Sequence, residues 1–459
     1  MAWFGTAEAQ EYFLPLALAW ERDDEALVTA LLPTALAKVR ERERVGILYD
    51  ACAYEGFCRA VVEGIHLQLE VPLASGHLRF SATRLGSELT GTSPSGTRRL
   101  AADSTNTAIV LGDSLFLKTY RRLRAGVNPE LETGRFLTDI VPFPNIAPLL
   151  GAVEFEAGDG TRVALAIVQG YRANQGDAWT YTIDYLKRFL GDALSKAEQE
   201  APTAELHSAY LLRIYTLGTR TAELHRAFGK TSGDPAFDPE PTTSADLSAW
   251  MTQVLREGEL TLNRLKRRRR DLPPVLQEPA QRLLAAGERL GDRISPDLSG
   301  LCAAKTRYHG DYHLAQVLVA ENDFVLIDFE GEPARTLRER RRKHSPLRDV
   351  AGMLRSFNYA ASSALAAATA ERSHGLDRLA PLAQEWERVT ANAFLTGYRA
   401  AIGDCPSYPT RCEHAQALIE LFTLEKAFYE LRYELDNRPE WIAVALQGLD
   451  ALLSPDAPR

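Results

Sequence analysis

The run His309-Gly310-Asp311-Tyr312-His313-Leu314-Ala315-Gln316, followed by the apolar strand Val325-Leu326-Ile327 and then Asp328-Phe329-Glu330, carries the residue types that phosphoryl transfer needs. That chemistry requires a carboxylate facing the acceptor hydroxyl, with a second carboxylate and a neutral oxygen to hold magnesium against nucleotide phosphates. Asp311, Asp328 and Gln316 supply those three functions. Gln316 stands five residues after Asp311, an offset at which a turn brings an amide back beside the catalytic acid. Singly, each piece has an ordinary explanation, since Asp after Gly is a common turn former and Asp after an apolar strand a common cap. In this order, with a strand between them, the ordinary explanation is the weaker one.

These side chains need elements to position them. Upstream, Ala108-Ile109-Val110-Leu111 and Leu115-Phe116-Leu117-Lys118 flank a Gly112-Asp113 turn and predict a hairpin with a lysine on its second strand. Pro129-Glu130-Leu131-Glu132 opens a helical run through Ile140, with Asn128 as cap and carboxylates in the first turn. A strand lysine oriented by a helix glutamate stabilises the charge that shifts during transfer, so Lys118 and Glu132 form a second constellation. Alone they read as a solvated lysine and a helix-start acid; their order upstream of the Asp311 loop favours the pair. No GxGxxG precedes Lys118. The turn Asp103-Ser104-Thr105-Asn106-Thr107 stands where a phosphate-covering loop belongs, and its hydroxyls and N–H groups can bind anionic oxygens. A hydroxyl-rich turn is more often just a turn, and Ser104 and Thr105 are the candidate nucleotide-binding residues it offers.

Along the chain, residues 1–95 read as a small α+β cap subdomain with strand-like runs at 12–20 and 45–49. Residues 96–168 read as a sheet with one helix, and strands are also expected at 80–85, 107–120, 149–155 and 163–168. Residues 169–459 read as a hinge and a mostly helical lobe, with amphipathic patterns at 183–194, 205–228, 247–265, 275–290, 349–370 and 382–401. Gly229-Lys230-Thr231 imitates the end of a Walker A loop, but Leu224 occupies the position that must be glycine. His309 and His313 lack a third ligand for zinc, and a buried, hydrogen-bonded His309 that steadies its loop is expected.

Composition narrows the function classes. With 45% hydrophobic and 25% charged residues over 459 positions, the chain is an ordinary globular one with room for more than one core. A net charge of −8 argues against nucleic acid as a partner, so the basic runs at 266–270 and 338–343 read as solvated or ion-paired faces. Five cysteines without a CxxC fit a reducing cytoplasm, and no apolar run reaches the length of a membrane span. A soluble, cytoplasmic protein without a membrane partner is expected. Sugar recognition calls for acids, amides and aromatic faces, which the last long helical run offers. There Lys426, Glu430, Tyr433 and Asn437 share one face, although on spacing alone a surface Lys–Glu pair over a core tyrosine is the simpler reading.

The chain resembles the maltokinase family over nearly its whole length. The resemblance is carried by Phe116-Leu117-Lys118 through Asn128-Pro129-Glu130-Leu131-Glu132, by Gln169-Gly170-Tyr171 with Asn174-Gln175-Gly176-Asp177-Ala178-Trp179, and by Arg220-Thr221-Ala222-Glu223-Leu224-His225. HGDYHLAQVL from His309, IDFEGEP from Ile327, SPLRDVAGMLRSF from Ser345 and LEKAFYELRYELDNRPEW from Leu424 add to it. It implies an α+β, two-lobed, protein-kinase-like (aminoglycoside-phosphotransferase-like) fold with an N-terminal cap subdomain and a mostly helical C-lobe. The implied reaction uses ATP and Mg2+ to phosphorylate maltose at its anomeric hydroxyl, giving maltose 1-phosphate for α-glucan and glycogen synthesis.

Under the resemblance, Asp311 orients or deprotonates the acceptor hydroxyl, Gln316 and Asp328 hold magnesium, Lys118 meets phosphate and Glu132 steadies it. Gln169 and Tyr171 belong to the adenine-contacting hinge. His313, Glu330, Lys426, Tyr429, Glu430, Tyr433 and Glu434 become sugar-binding residues, which reverses the simpler reading of the last helix. The family commonly begins with a longer cap than the stretch that here follows Trp3-Phe4-Gly5, implying a shortened cap or a chain trimmed from a fusion. Such kinases are often fused behind trehalose synthase, which is the implied partner, fused or separate. A related kinase for another sugar such as glucosamine is the alternative, because the cap and final helix decide the acceptor. A pseudokinase scaffold would require loss of Lys118, Asp311 or Asp328, and all three are present.

Overall fold

The computed structural model describes residues 10–88, 96–100, 106–195, 207–287, 290–294, 296–369 and 376–453. The chain divides into two compact units, one formed by Met1–Ala173 with Pro333–Arg340 and the other by Asn174–Glu332 with Arg341–Arg459.

The first unit is built on two antiparallel sheets. Strands β1 (Leu16–Trp20), β2 (Ala35–Glu41) and β3 (Arg44–Asp50) lie in the order β1-β3-β2. Ala19, Ile47 and Tyr49 alternate toward Val28 and Leu31 of the Glu25–Leu31 helix, which Asp24 caps through Leu27 N–H. The larger sheet has seven strands: β4 (Glu70–Leu73), β5 (Gly76–Ala82), β6 (Thr97–Arg99), β7 (Thr107–Leu111), β8 (Leu115–Thr119), β9 (Leu149–Ala157) and β10 (Arg162–Gly170). Their order is β4-β5-β9-β10-β8-β7-β6. β4 and β5 come from residues 1–95, so the sheet does not start at the expected boundary of 96. β5 pairs with β9 from Gly76↔Ala157 to Ala82↔Gly151, and such a distant partner leaves no trace in local periodicity. The strand expected to reach residue 85 stops at Ala82, where Thr83 caps a short helix, Arg84–Ser87. The segment 333–340 joins this unit because Arg124 donates to the carbonyls of Pro333 and Arg335, each at 3.2 Å.

The second unit is mostly helical. Its long helices span Ala178–Ser195, Ser208–Phe228, Ser244–Arg268, Pro274–Gly287, Leu347–Thr369, Leu376–Ile402, Cys412–Asn437 and Ile442–Leu453. Among the described residues, each amphipathic pattern read from the sequence overlaps one of them. Glycines let two of these helices touch backbone to backbone: a Cβ on Gly218 would lie 2.1 Å from the Phe394 carbonyl oxygen, and one on Gly397 2.0 Å from that of Tyr215. Two short antiparallel pairs complete the unit, β11 (Glu240–Pro241) with β12 (Ala304–Lys305), and β13 (Val317–Ala320) with β14 (Asp323–Leu326). Among the described residues, no helix is long and apolar enough to cross a membrane. All five cysteines are free, with Cys52, Cys58 and Cys405 buried and Cys302 and Cys412 exposed.

Candidate active site

The second unit holds the run from His309 to Asp328 as one folded loop. Hydrophobic alternation drives β13 and β14 together, burying Val317, Val319, Phe324 and Leu326. The Ile327 N–H then donates to the Gln316 carbonyl at 3.0 Å, extending the pairing by one step beyond the strands. That step places Gln316, just before β13, beside Asp328, just after β14. The Gln316 amide donates to Asp328 Oδ2 at 3.0 Å. Arg220, from the Ser208–Phe228 helix, grips the hairpin by a fork onto both carboxylate oxygens of Asp323, 2.8 Å each. Asp328 has φ +65°, a left-handed conformation that costs a non-glycine residue about 1–3 kcal/mol and is held by its surroundings.

His309 ties the two acids to each other. Its Nε2–H donates to the Ile327 carbonyl at 2.8 Å, next to Asp328, while its Nδ1 faces the Asp311 N–H at 3.4 Å. The expected buried, loop-stabilising histidine is therefore present. Asp349, on the Leu347–Thr369 helix, anchors the same turn by accepting from the N–H groups of His309 at 2.7 Å and Gly310 at 3.0 Å. His225 Nε2–H also donates to Asp349, at 3.2 Å, and the Tyr398 hydroxyl donates to His225 Nδ1 at 2.9 Å. Asp349 and His225 are buried, so this chain of bonds runs without competition from water. Two glycines permit the geometry. Gly310 has φ +86°, and Gly352 allows the helix to approach, since a Cβ there would lie 2.6 Å from the Tyr312 carbonyl oxygen.

Asp311 is half-buried and faces Lys426 of the Cys412–Asn437 helix, whose Nζ donates to Asp311 Oδ1 at 3.4 Å and to Glu332 Oε1 at 3.0 Å. Burial disfavours the charge on Lys426, but Glu332, Asp311 and Glu430 outweigh it and hold the ammonium above the ordinary lysine pKa. Lys426 is thus not the surface partner of Glu430 that helical spacing alone suggested. Glu430 pairs with Arg355 at 2.8 Å, and the buried Glu434 pairs with Arg438 at 2.8 Å. Tyr429 and Tyr433 stack with ring centres 6.3 Å apart, and the Lys426 ammonium lies 5.1 Å from the centre of the Tyr429 ring. His313 and Glu330 are half-buried; burial pushes the His313 imidazole below its usual pKa against the opposing charge of Asp311. A cavity of about 20 Å³, room for one water, is lined by Tyr308, Asp311, Glu332, Arg348, Phe422 and Lys426 among others.

The first unit carries the lysine. Lys118 and Tyr120 project from the same face of β8 and its continuation, and both donate to Glu130 Oε2, at 2.8 and 2.7 Å. Glu130, two positions before the expected Glu132, is thus an acid that holds the lysine. Asn128 caps the Pro129–Arg135 helix through Leu131 N–H, and residues two apart on a helix point about 200° from each other. Glu130 is buried against the sheet while Glu132 is half-exposed. Gln169 lies in β10, opposite Phe116 of β8, and its side chain donates to the Ala147 carbonyl at 3.5 Å. The Tyr171 N–H donates to Ser114 O at 2.7 Å, and its hydroxyl accepts from Arg98 at 3.3 Å. Ser104 and Thr105 lie outside the described residues.

Sequence reasoning did not single out Glu130, Glu332 and Asp349, which bond to Lys118, Lys426 and the His309 turn. Glu130 had the same signal as Glu132, a first-turn carboxylate. Glu332 lies inside the IDFEGEP motif, and Asp349 opens the helix of the SPLRDVAGMLRSF motif, but neither spacing names the partner.

No family model matches this chain. It is 24% identical over 368 residues to the glucosamine kinase of Streptacidiphilus jiangxiensis, an alignment covering 79% of this chain and 75% of the relative. It is also 24% identical over 437 residues to the glucosamine kinase of Mycolicibacterium smegmatis, covering 93% and 95% of the two chains. Among solved structures, a glucosamine kinase in complex with glucosamine, ADP and inorganic phosphate superposes with a TM-score of 0.62 at 20% identity, covering 97% of this chain and 96% of the other. The α+β, kinase-like fold expected from the sequence is the fold this chain has.

Proposed function

We propose that this chain is a sugar kinase that moves the γ-phosphoryl group of ATP to a sugar hydroxyl. The observation that carries the reading is the single loop in which Asp311 and the Gln316–Asp328 pair flank one histidine. Asp311 receives the proton of the attacking hydroxyl, or orients it. Gln316 and Asp328 offer an amide and a carboxylate oxygen side by side, a donor set that suits a hard cation such as Mg2+. Magnesium, when bound, neutralises charge on the nucleotide phosphates. Lys118, oriented by Glu130, meets phosphate, and Gln169 with Tyr171 serve the adenine. His313, Glu330, Lys426 and Tyr429 face the acceptor, with Tyr433 beside them; Glu430 and Glu434 hold that wall through their arginines.

For the acceptor, glucosamine is better supported than maltose, because both relatives described above, which align along most of the chain, are glucosamine kinases. Maltose phosphorylated to maltose 1-phosphate is the second reading, carried by the resemblance in sequence; the Tyr429 and Tyr433 rings offer faces for the pyranose C–H groups of either sugar. Under it, trehalose synthase would be the enzyme that supplies the acceptor. The test is a transfer assay with ATP and magnesium over glucosamine, glucose, maltose and maltotriose. The highest kcat/KM is expected with glucosamine. Transfer to maltose alone would move the acceptor to the second reading, and transfer to no sugar would overturn the kinase assignment.

A further inference from the structure

We propose that Glu332 and Lys426 form a positioning pair for Asp311, in which the second carboxylate keeps the lysine from closing on the first. The pair deepens the kinase reading above and rests on it. Lys426 Nζ lies 3.0 Å from Glu332 Oε1 and 3.4 Å from Asp311 Oδ1, so the stronger of its two bonds is the one to Glu332. Glu332 is only 7% exposed, and Gly331, with φ +73°, turns the chain that presents it. Two carboxylates therefore share one ammonium in a place where water screens them poorly. Such a set is stable when complete and unstable when any single member is removed, because a lone buried charge seeks the nearest partner.

The roles follow from that balance. With both acids present, the ammonium fixes the Asp311 carboxylate at long hydrogen-bond range and leaves it able to take the proton of an acceptor hydroxyl. With Glu332 neutral, Asp311 is the charged carboxylate that still bonds the ammonium, since Glu430 is held by Arg355, and the ammonium draws in on it, occupying the oxygen the acceptor needs. With Lys426 gone, the two carboxylates lose the ammonium they share. With both gone, Asp311 stands free again, less well aimed but unblocked.

The test is a double-mutant cycle on sugar phosphorylation, with thermal unfolding followed on every variant. Glu332→Gln is expected to lower kcat about 10²-fold while the KM for the sugar stays within about threefold. Glu332→Gln combined with Lys426→Met is expected to be about tenfold faster than Glu332→Gln alone, a recovery that independent losses cannot give. Glu332→Asp, which keeps the charge, is expected to retain more kcat than Glu332→Gln and serves where the amide variant fails to fold. A double variant no faster than the slower single one would overturn the pair. So would a Glu332→Gln enzyme with unchanged kcat and raised sugar KM. If the unsubstituted enzyme transfers phosphate to no sugar, the kinase reading fails and the pair with it; if it is active and the double variant does not recover, the pair alone fails.

Discussion

At the scale of single residues, the two acids differ in what their loss should do. Under the proposed function, in which Asp311 serves the acceptor hydroxyl, Asp311→Asn is expected to lower kcat by about 10²–10⁴-fold while nucleotide binding stays intact. Turnover and calorimetric titration of ATP on the same sample check both halves. In the sheet unit, Glu130→Gln should harm ATP use more than Glu132→Gln, because Lys118 and Tyr120 both donate to Glu130. Breaking such a buried pair costs about 3–5 kcal/mol, so the Glu130 variant is also expected to melt earlier. Equal KM for ATP and equal melting in the two variants would contradict this. That Gln316 and Asp328 meet, with Asp311 tied to them through His309, was legible from sequence because one short hairpin brings them together, and spacing reports local geometry. Glu332 and Asp349 were not, because each acquires its meaning from a residue many positions away, Lys426 for one and His225 for the other. That Glu130 is buried on Lys118 depends on which face of a helix meets a sheet, and two acidic positions in one first turn do not reveal that.

At the scale of elements, helix packing sets how rigidly the loop from His309 to Asp328 is held. His225 lies on the Ser208–Phe228 helix and Tyr398 on the Leu376–Ile402 helix, so contact between these helices sets the reach of the Tyr398–His225–Asp349 chain. Gly397→Val puts a side chain where the Tyr215 carbonyl oxygen sits and must push the helices apart. A loss of about 1–3 kcal/mol in stability is expected, with a lower kcat in the folded fraction. Chemical denaturation and turnover measure the two. Most helices were visible in the sequence as 3.6-residue periodicity. The order of the seven strands was not, because alternation tells which face a residue takes and leaves the neighbouring strand unspecified.

At the scale of the whole molecule, buried ionisable groups set the response to pH and to thiol reagents. Burial raises the Glu387 carboxyl above its usual pKa, against the opposing Asn358 hydrogen bonds and the charge of Arg355. The folded state then holds this proton at pH values where the unfolded chain has released it. Its contribution to stability is full below the unfolded pKa and declines as pH rises through the folded one. Glu387→Gln should therefore gain in melting temperature relative to the unsubstituted protein as pH is raised from acid to neutral; a constant difference would contradict the assignment. Alkylation of the native protein is expected at Cys302 and Cys412, with Cys52 and Cys58 protected because burial raises their thiols to about 11 and about 12. Peptide mapping after brief labelling reads this directly.

The membership of residues 333–340 in the sheet unit reaches beyond packing. The polypeptide leaves that unit after Ala173, returns to it for a few residues at Pro333, and departs again at Arg341. No single scissor cut separates the two bodies. A fragment ending at Ala173 would lose the strand of chain that Arg124 clasps, and a fragment beginning at Asn174 would carry that strand away from its own neighbours. Ribosomal synthesis meets the same arrangement, for the emerging N-terminal body must wait for a stretch made some hundred and sixty residues later before it is complete.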